Sequence, residues 1–94
     1  MEPPLAVFSP VPGRLTVYGG SWCVDCHLVT RYLDAQGVPF QWVDLGSDHV
    51  AQDQLSAAGY RAIPVVTLPD GRILVEPSTR QLAAALAAGQ DAPA

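Results

Sequence analysis

Lysine is absent from this 94-residue chain, and its five basic residues are all arginine (Arg14, Arg31, Arg61, Arg72 and Arg80). Set against nine acidic residues they leave a formal net charge of −4. That balance argues against nucleic acid or an anionic membrane surface as a partner. No apolar run approaches the roughly 18–20 residues needed to span a bilayer. Residues 1–13 lack a basic segment and hold Pro3, Pro4, Pro10 and Pro12. They read as an extended arm rather than a secretory signal, ordered only if Leu5, Val7 and Phe8 dock somewhere. A cytoplasmic setting is therefore expected. Cysteine is scarce as well: Cys23 and Cys26 are the only two. A disulfide framework is excluded, and a lone pair in a reducing compartment is more often catalytic or metal-binding than structural.

What is present suits one packed domain. Apolar residues make up 49% of the chain and charged ones 15%, so a globule with its own core is expected rather than disorder. The expected organisation is a Pro-rich arm over 1–13, a domain over 14–88 and a short tail over 89–94. No internal repeat is visible.

The hydrophobic pattern predicts a strand over Leu15–Gly19 and a helix from Cys23 to about Gln36, with Cys26, Val29 and Leu33 facing the core and Leu28 and Tyr32 flanking them. Gly37 and Pro39 end that helix. A second strand follows over Phe40–Leu45, with Phe40, Trp42 and Val43 supplying bulk. Gly46-Ser47-Asp48 leads into a helix that runs through about Ala58, with Val50, Leu55 and Ala58 as its apolar side and Gly59 as its stop. Pro64–Leu68 and Arg72–Val75 form a hairpin around Pro69-Asp70-Gly71. Ser78 caps a last helix over Thr79–Ala88, with Gln81 in the capping-box position. The order is β-α-β-α-β-β-α. Strands one and two, joined through a helix, should be parallel, giving one mixed four-stranded sheet with helices on both faces.

The chemistry concentrates in Ser21-Trp22-Cys23-Val24-Asp25-Cys26-His27. A Cys-x-x-Cys at a strand-to-helix junction sets the first sulfur beside unpaired helix N–H groups, where the dipole favours thiolate over thiol. The second sulfur lies near enough to close a small disulfide ring with the first. Disulfide capture and release are within reach of one turn of backbone.

Other readings of these residues are weaker. Cys23-x-x-Cys26-His27 also satisfies the c-type haem attachment pattern, but Met1 is the only methionine and the strand content opposes a small helical haem bundle. Cys23, Cys26, His27 and His49 are the only thiol and imidazole candidates for zinc, and adjacent Cys26 and His27 suit one tetrahedral site poorly. His49 reads as part of the exposed start of the second helix.

The element order, the Trp22-Cys-x-x-Cys26 site opening the first helix and Ile63-Pro64 opening strand three together resemble a glutaredoxin over residues 14–88. The Asp70-Gly71 hairpin followed by Pro77-Ser78 is most similar to mycoredoxin-type and related bacterial glutaredoxin-like proteins. The resemblance implies a thioredoxin-like fold, a thiol–disulfide oxidoreductase activity, Cys23 as nucleophile and Cys26 as resolving thiol. A buried Cys26 without cationic neighbours, expected from its place on the core face, would stay protonated until needed. The resemblance also implies a cis Pro64 beside the site, with the Ile63 backbone pairing with substrate.

Two departures bear on the partner. Val24-Asp25 stands where proline and an aromatic residue are commoner, and a carboxylate there opposes a nearby thiolate; Asp25 and His27 are thus expected to tune the thiols. Glutathione-specific relatives often use a lysine and a Gly-Gly-x-Asp-type turn, whereas this chain has no lysine, Gly19-Gly20-Ser21 before Trp22, and Glu76-Pro77-Ser78 in the later region. Trp22, Arg61, Ile63, Pro64, Ser78 and Thr79 are the expected substrate-binding residues, Arg61 and the Ser78-Thr79 helix start as anion binders. No resident cofactor or metal is expected, only a thiol co-substrate. The reductant is left open among glutathione, mycothiol, bacillithiol and a flavoprotein reductase, acting on a monomer. The alternatives are a thioredoxin-reductase-dependent redoxin and a non-enzymatic iron–sulfur carrier or redox sensor using the same thiols.

Overall fold

The computed structural model describes residues 13–90; the expected arm before Gly13 and the last four residues of the tail lie outside them. The elements are β1 (Thr16–Gly19), α1 (Val24–Ala35), β2 (Gln41–Asp44), α2 (His49–Ala57), β3 (Val65–Thr67), β4 (Ile73–Val75) and α3 (Thr79–Gln90). The order is the expected one, and α3 runs two residues past the predicted end at Ala88. The strands form one sheet in the order β2-β1-β3-β4. β1 pairs parallel to β2, with Val17 opposite Trp42, and antiparallel to β3, with Val17 opposite Val66. β3 and β4 form the antiparallel hairpin.

Alternation along the two central strands splits the core between the faces of the sheet. Leu15, Val17, Val66 and Leu68 pack on one side with Val29 and Leu33 of α1 and Leu82 and Ala85 of α3. Tyr18 and Val65 pack on the other with Leu45 and with Ala51 and Leu55 of α2. A fully buried leucine or valine of this kind contributes about 1.5–3 kcal/mol relative to exposure. Thr16 and Thr67 face each other across β1 and β3. Both are buried, and neither hydroxyl has a hydrogen-bond partner among the described residues.

Two expectations about packing need correction. Val50 is exposed, as is Ala58, and the apolar side of α2 is Ala51 and Leu55. Leu55 fixes the phase, and its i−4 neighbour is Ala51, so Val50 falls on the solvent side. Trp42 is also more exposed than a core residue, because β2 is an edge strand; Leu28 is likewise exposed.

The ends of the elements follow their local chemistry. Gly37 (φ 70°) and Gly59 (φ 94°) supply left-handed residues after α1 and α2. Beyond each, a six-to-one bond closes the helix, Val38 N–H to the Leu33 carbonyl and Tyr60 N–H to the Leu55 carbonyl, both at 2.9 Å. Ser78 and Gln81 form the predicted reciprocal cap of α3. The hairpin turn is fastened to α3 by Arg72, whose Nε donates to Asp70 Oδ2 and whose Nη2 donates to the Ala85 carbonyl, each at 2.7 Å. The Ile63–Pro64 bond is cis, as the family resemblance implied. The Pro64 carbonyl accepts from Glu76 N–H at 2.8 Å, which ties the approach to α3 to that proline.

Candidate active site

β1 ends at Gly19, and the chain turns through Gly20-Ser21-Trp22 before α1 begins. Cys23 is the N-cap of α1, in extended conformation (φ −94°, ψ 112°), and its sulfur accepts the Cys26 N–H at 3.1 Å. The thiol thus occupies the role usually taken by a serine or aspartate oxygen. Cys23 is half-buried, while Cys26 is 0% exposed and shares its helix face with Val29 and Leu33. The two thiols are free.

Burial, before any other cause, pushes the Cys26 thiol up to about 12. Its hydrogen bond to the Cys23 sulfur adds to the rise, a hydrogen bond from the Gly20 backbone opposes it, and the charges of Cys23 and then Asp25 raise it further. The Asp25 carboxylate, expected to tune the site, therefore acts against a thiolate at Cys26 as the smallest of these influences. Once Cys23 is tied up in a mixed disulfide it carries no charge, and two of the causes that hold the proton on Cys26 disappear.

The sign of the linkage gives a testable consequence. A folded-state pKa raised from 9.0 to about 12 means that the native protein holds the Cys26 proton more tightly than the unfolded chain. This contribution to stability is complete below about pH 9 and is lost as pH rises toward 12. Tyr18, raised by burial and then by Asp48, adds loss in the same direction. With no lysine to titrate in that window, the urea midpoint of the reduced protein should fall from about pH 8 to about pH 10.5, and Cys26→Ala should make the decline shallower. An equal slope in the variant would contradict the assigned burial of the Cys26 proton.

Around the thiols the expected residues are distributed unevenly. Trp22, Arg61 and Ile63 line one groove of about 470 Å³, together with Tyr60 and with Gln52 of α2. Pro64 is buried beside it. Among the described residues no hydrogen bond engages the Ile63 N–H or carbonyl. Ser78 and Thr79 are exposed and do not line that groove; Ser78 is engaged by Gln81 in the cap. His27 is tied to the loop before the motif, its Nε2 donating to the Ser21 carbonyl at 2.7 Å. Trp22, Val24 and Leu28, all exposed, give the flank of Cys23 an apolar character. Among the described residues no group of three or more His, Cys, Asp or Glu side chains converges to hold a metal ion, and no helix is long and apolar enough to cross a membrane. A larger groove, about 600 Å³, lies at the start of β1 and β2, opposite the thiols, and Arg14 is its one ionisable side chain.

The family model described as glutaredoxin matches residues 15–74. The chain belongs to the glutaredoxin family. Its fold is thioredoxin-like and its activity is thiol–disulfide exchange through the Cys23–Cys26 pair, as the resemblance implied. Among curated relatives, the glutaredoxin-like protein NrdH of Escherichia coli (strain K12) is 33% identical over 57 residues, which covers 61% of this chain and 70% of that protein. Rv3198A of Mycobacterium tuberculosis (strain ATCC 25618 / H37Rv), provisionally named a glutaredoxin, is 30% identical over 78 residues, 81% of this chain and 93% of that protein. Among solved structures, the Escherichia coli NrdH-redoxin, described as a glutaredoxin-like protein with a thioredoxin-like activity profile, superposes with a TM-score of 0.68 at 26% identity. That match covers 86% of this chain and 97% of the other.

Within this glutaredoxin site the sequence reading overlooked the glycines. A Cβ on Gly19 would stand 2.5 Å from the Cys26 sulfur and 3.0 Å from Trp42 Cη2, and one on Gly20 would stand 2.4 Å from Trp22 Cη2. Gly20 is also bonded through its own backbone, its carbonyl accepting the Cys23 N–H at 3.1 Å and its backbone hydrogen-bonding Cys26. The available signal was two consecutive glycines between a strand and a Cys-x-x-Cys, a place where close approach is a common reason for glycine.

Proposed function

We propose that Cys23 is the attacking thiol and Cys26 the resolving thiol of a dithiol cycle that reduces protein or mixed disulfides. The observation carrying this reading is the contrast between a half-buried Cys23, still reachable at the helix cap, and a Cys26 with no exposure at all. Cys23 thiolate attacks one sulfur of R–S–S–R′, forming Cys23–S–S–R and expelling R′–S⁻, which takes a proton. Cys26 then gives up its proton and attacks the Cys23 sulfur, forming the Cys23–Cys26 disulfide and expelling R–S⁻. The substrate gains two electrons and the protein loses two, which a reductant must return. A low-molecular-weight thiol can also resolve the mixed disulfide at Cys23. The substrate is received by the free Ile63 backbone next to Pro64, by Trp22 and by Arg61, with the start of α3 at Ser78-Thr79 beyond Pro64 as a further anion-receiving position. The redox pair needs no resident cofactor or metal.

Regeneration by a flavoprotein dithiol reductase is the second reading, and three observations favour it over glutathione. Arg61 is the one cation of the groove and the chain has no lysine. The flank of Cys23 is apolar, which suits a protein partner more than an anionic tripeptide. The similar NrdH-redoxin has a thioredoxin-like activity profile. A monomer working in the reducing cytoplasm fits free thiols of this kind. An iron–sulfur carrier would have to be built on Cys23 alone, since Cys26 is inaccessible. Turnover of one mixed disulfide, measured in turn with glutathione, mycothiol, bacillithiol, and NADPH with a thioredoxin-type reductase, should be fastest with the reductase. Fastest turnover with glutathione would reject this second reading and leave the dithiol cycle intact.

A further inference from the structure

We propose that Gly20 and Gly46 form a seat that holds the Trp22 indole as a wall of the substrate groove, and that the seat thereby sets which disulfides reach Cys23. The inference rests on the reading of Cys23 as the attacking thiol. Neither glycine is called for by its backbone, since both lie outside the left-handed region in which Gly13, Gly37, Gly59 and Gly71 fall. At Gly20 the indole itself excludes a side chain, since a Cβ there would meet Cη2, Cζ2 and Cζ3 of Trp22 at 2.4–2.5 Å. At Gly46 the fit is tight rather than closed: a Cβ would meet Trp22 Cζ3 at 3.0 Å, Asp44 Oδ1 at 3.1 Å and Trp22 Cη2 at 3.6 Å. Two glycines from different loops therefore approach the same edge of one ring. The second loop is itself pinned, because Gly46 N–H donates to Asp44 Oδ1 at 2.9 Å.

The ring that sits on this seat is 65% exposed yet lines the groove with Tyr60, Arg61 and Ile63. An exposed tryptophan next to a nucleophile would ordinarily sample several rotamers. Packing its six-membered edge against bare backbone restricts it to one, which leaves the groove open and presents a fixed aromatic surface to whatever flanks the substrate disulfide. A methyl at Gly20 cannot coexist with the seated ring, so the ring must leave. Gly20 and Gly46 are in this sense positioning residues that act through Trp22. The selected substrates are disulfides with a peptide or other bulky group to lie against the indole; a small disulfide does not reach the wall.

The test compares KM for a peptide disulfide with KM for bis(2-hydroxyethyl) disulfide in Gly20→Ala, Gly46→Ala, Trp22→Ala and the Gly20→Ala/Trp22→Ala double variant. Gly20→Ala should raise KM for the peptide disulfide about fivefold or more, the scale of one lost aromatic contact, and change KM for the small disulfide less than about twofold. Gly46→Ala should do the same to a smaller extent and carries the test if Gly20→Ala does not fold. In the Trp22→Ala background, Gly20→Ala should add nothing, since the three atoms nearest to the methyl are then gone. Fluorescence anisotropy of Trp22, read with Trp42→Phe to remove the second indole, should fall in both glycine variants as the ring is released. Equal effects on the two disulfides, an undiminished Gly20→Ala effect without the indole, or unchanged anisotropy would overturn the seat. Alkylating Cys23 in the unsubstituted protein tests the underlying reading separately: surviving turnover would defeat that reading whatever the glycine variants do.

Discussion

Cys23→Ser should reduce turnover of any disulfide to the uncatalysed background, whereas Cys26→Ser should keep the first half of the cycle. A serine hydroxyl at the α1 cap can still accept the Cys26 N–H, which now reaches the Cys23 sulfur at 3.1 Å, so the fold loses little. What it cannot do is form a bond to a substrate sulfur. Cys26 does not replace it, because it is fully buried, and burial, the largest cause that raises its thiol, remains when Cys23 is gone. With Cys26→Ser, release of the bound half-substrate falls to an external thiol, so turnover should become strongly dependent on the concentration of that thiol. Stopped-flow turnover with the two variants checks both halves. Substantial activity in Cys23→Ser would mean that the buried sulfur can attack by itself.

Gly19→Ala should be among the most damaging single changes to both stability and activity. The methyl would stand 2.5 Å from the Cys26 sulfur, 3.0 Å from Trp42 Cη2 and 3.1 Å from Cys26 Cβ. Gly19 closes a central strand and is buried, as is Cys26, so neither can move into solvent. Overpacking of a rigid site typically costs about 1–3 kcal/mol, and the most direct relief is to shift the start of α1, which carries both thiols. A lower urea midpoint together with slower intramolecular disulfide closure is expected. Adding Cys26→Ala, which removes the nearest atom, should recover part of the stability and none of the intramolecular disulfide closure. A fully stable and active Gly19→Ala would show that the Gly19–Cys26 approach is not fixed as described.

Much of this architecture could be read from residues that act locally. Asp70-Gly71 marked the hairpin, Gly37 the helix stop and Ser78 with Gln81 the cap, because turns and caps depend on a few neighbours. Cys26, Val29 and Leu33 showed the buried face of α1 through their spacing alone. Family resemblance added the cis proline, which the residues around Ile63 do not announce. What failed to show were properties of the assembled sheet. The exposure of Trp42 follows from β2 lying at the edge, and strand order leaves no mark on a four-residue strand. Val50 outweighs Ala51 in bulk, but the phase of α2 is set by its contact with Tyr18 and Val65 through Leu55. The seat beneath Trp22 joins Gly20 to Gly46, residues that only the fold brings to one ring. Ser78 and Thr79 were legible as a cap, while which residues line the groove with Trp22, Arg61 and Ile63 is again a matter of assembly.

The division of labour between the two sulfurs is tested most directly by timed alkylation of the reduced protein with iodoacetamide at about pH 7, with each cysteine followed separately by mass spectrometry. On this division Cys23 should be labelled to completion before Cys26 reacts measurably, and unfolding in urea should remove the difference. Labelling of Cys26 at the same rate as Cys23 or faster in the folded protein would contradict it.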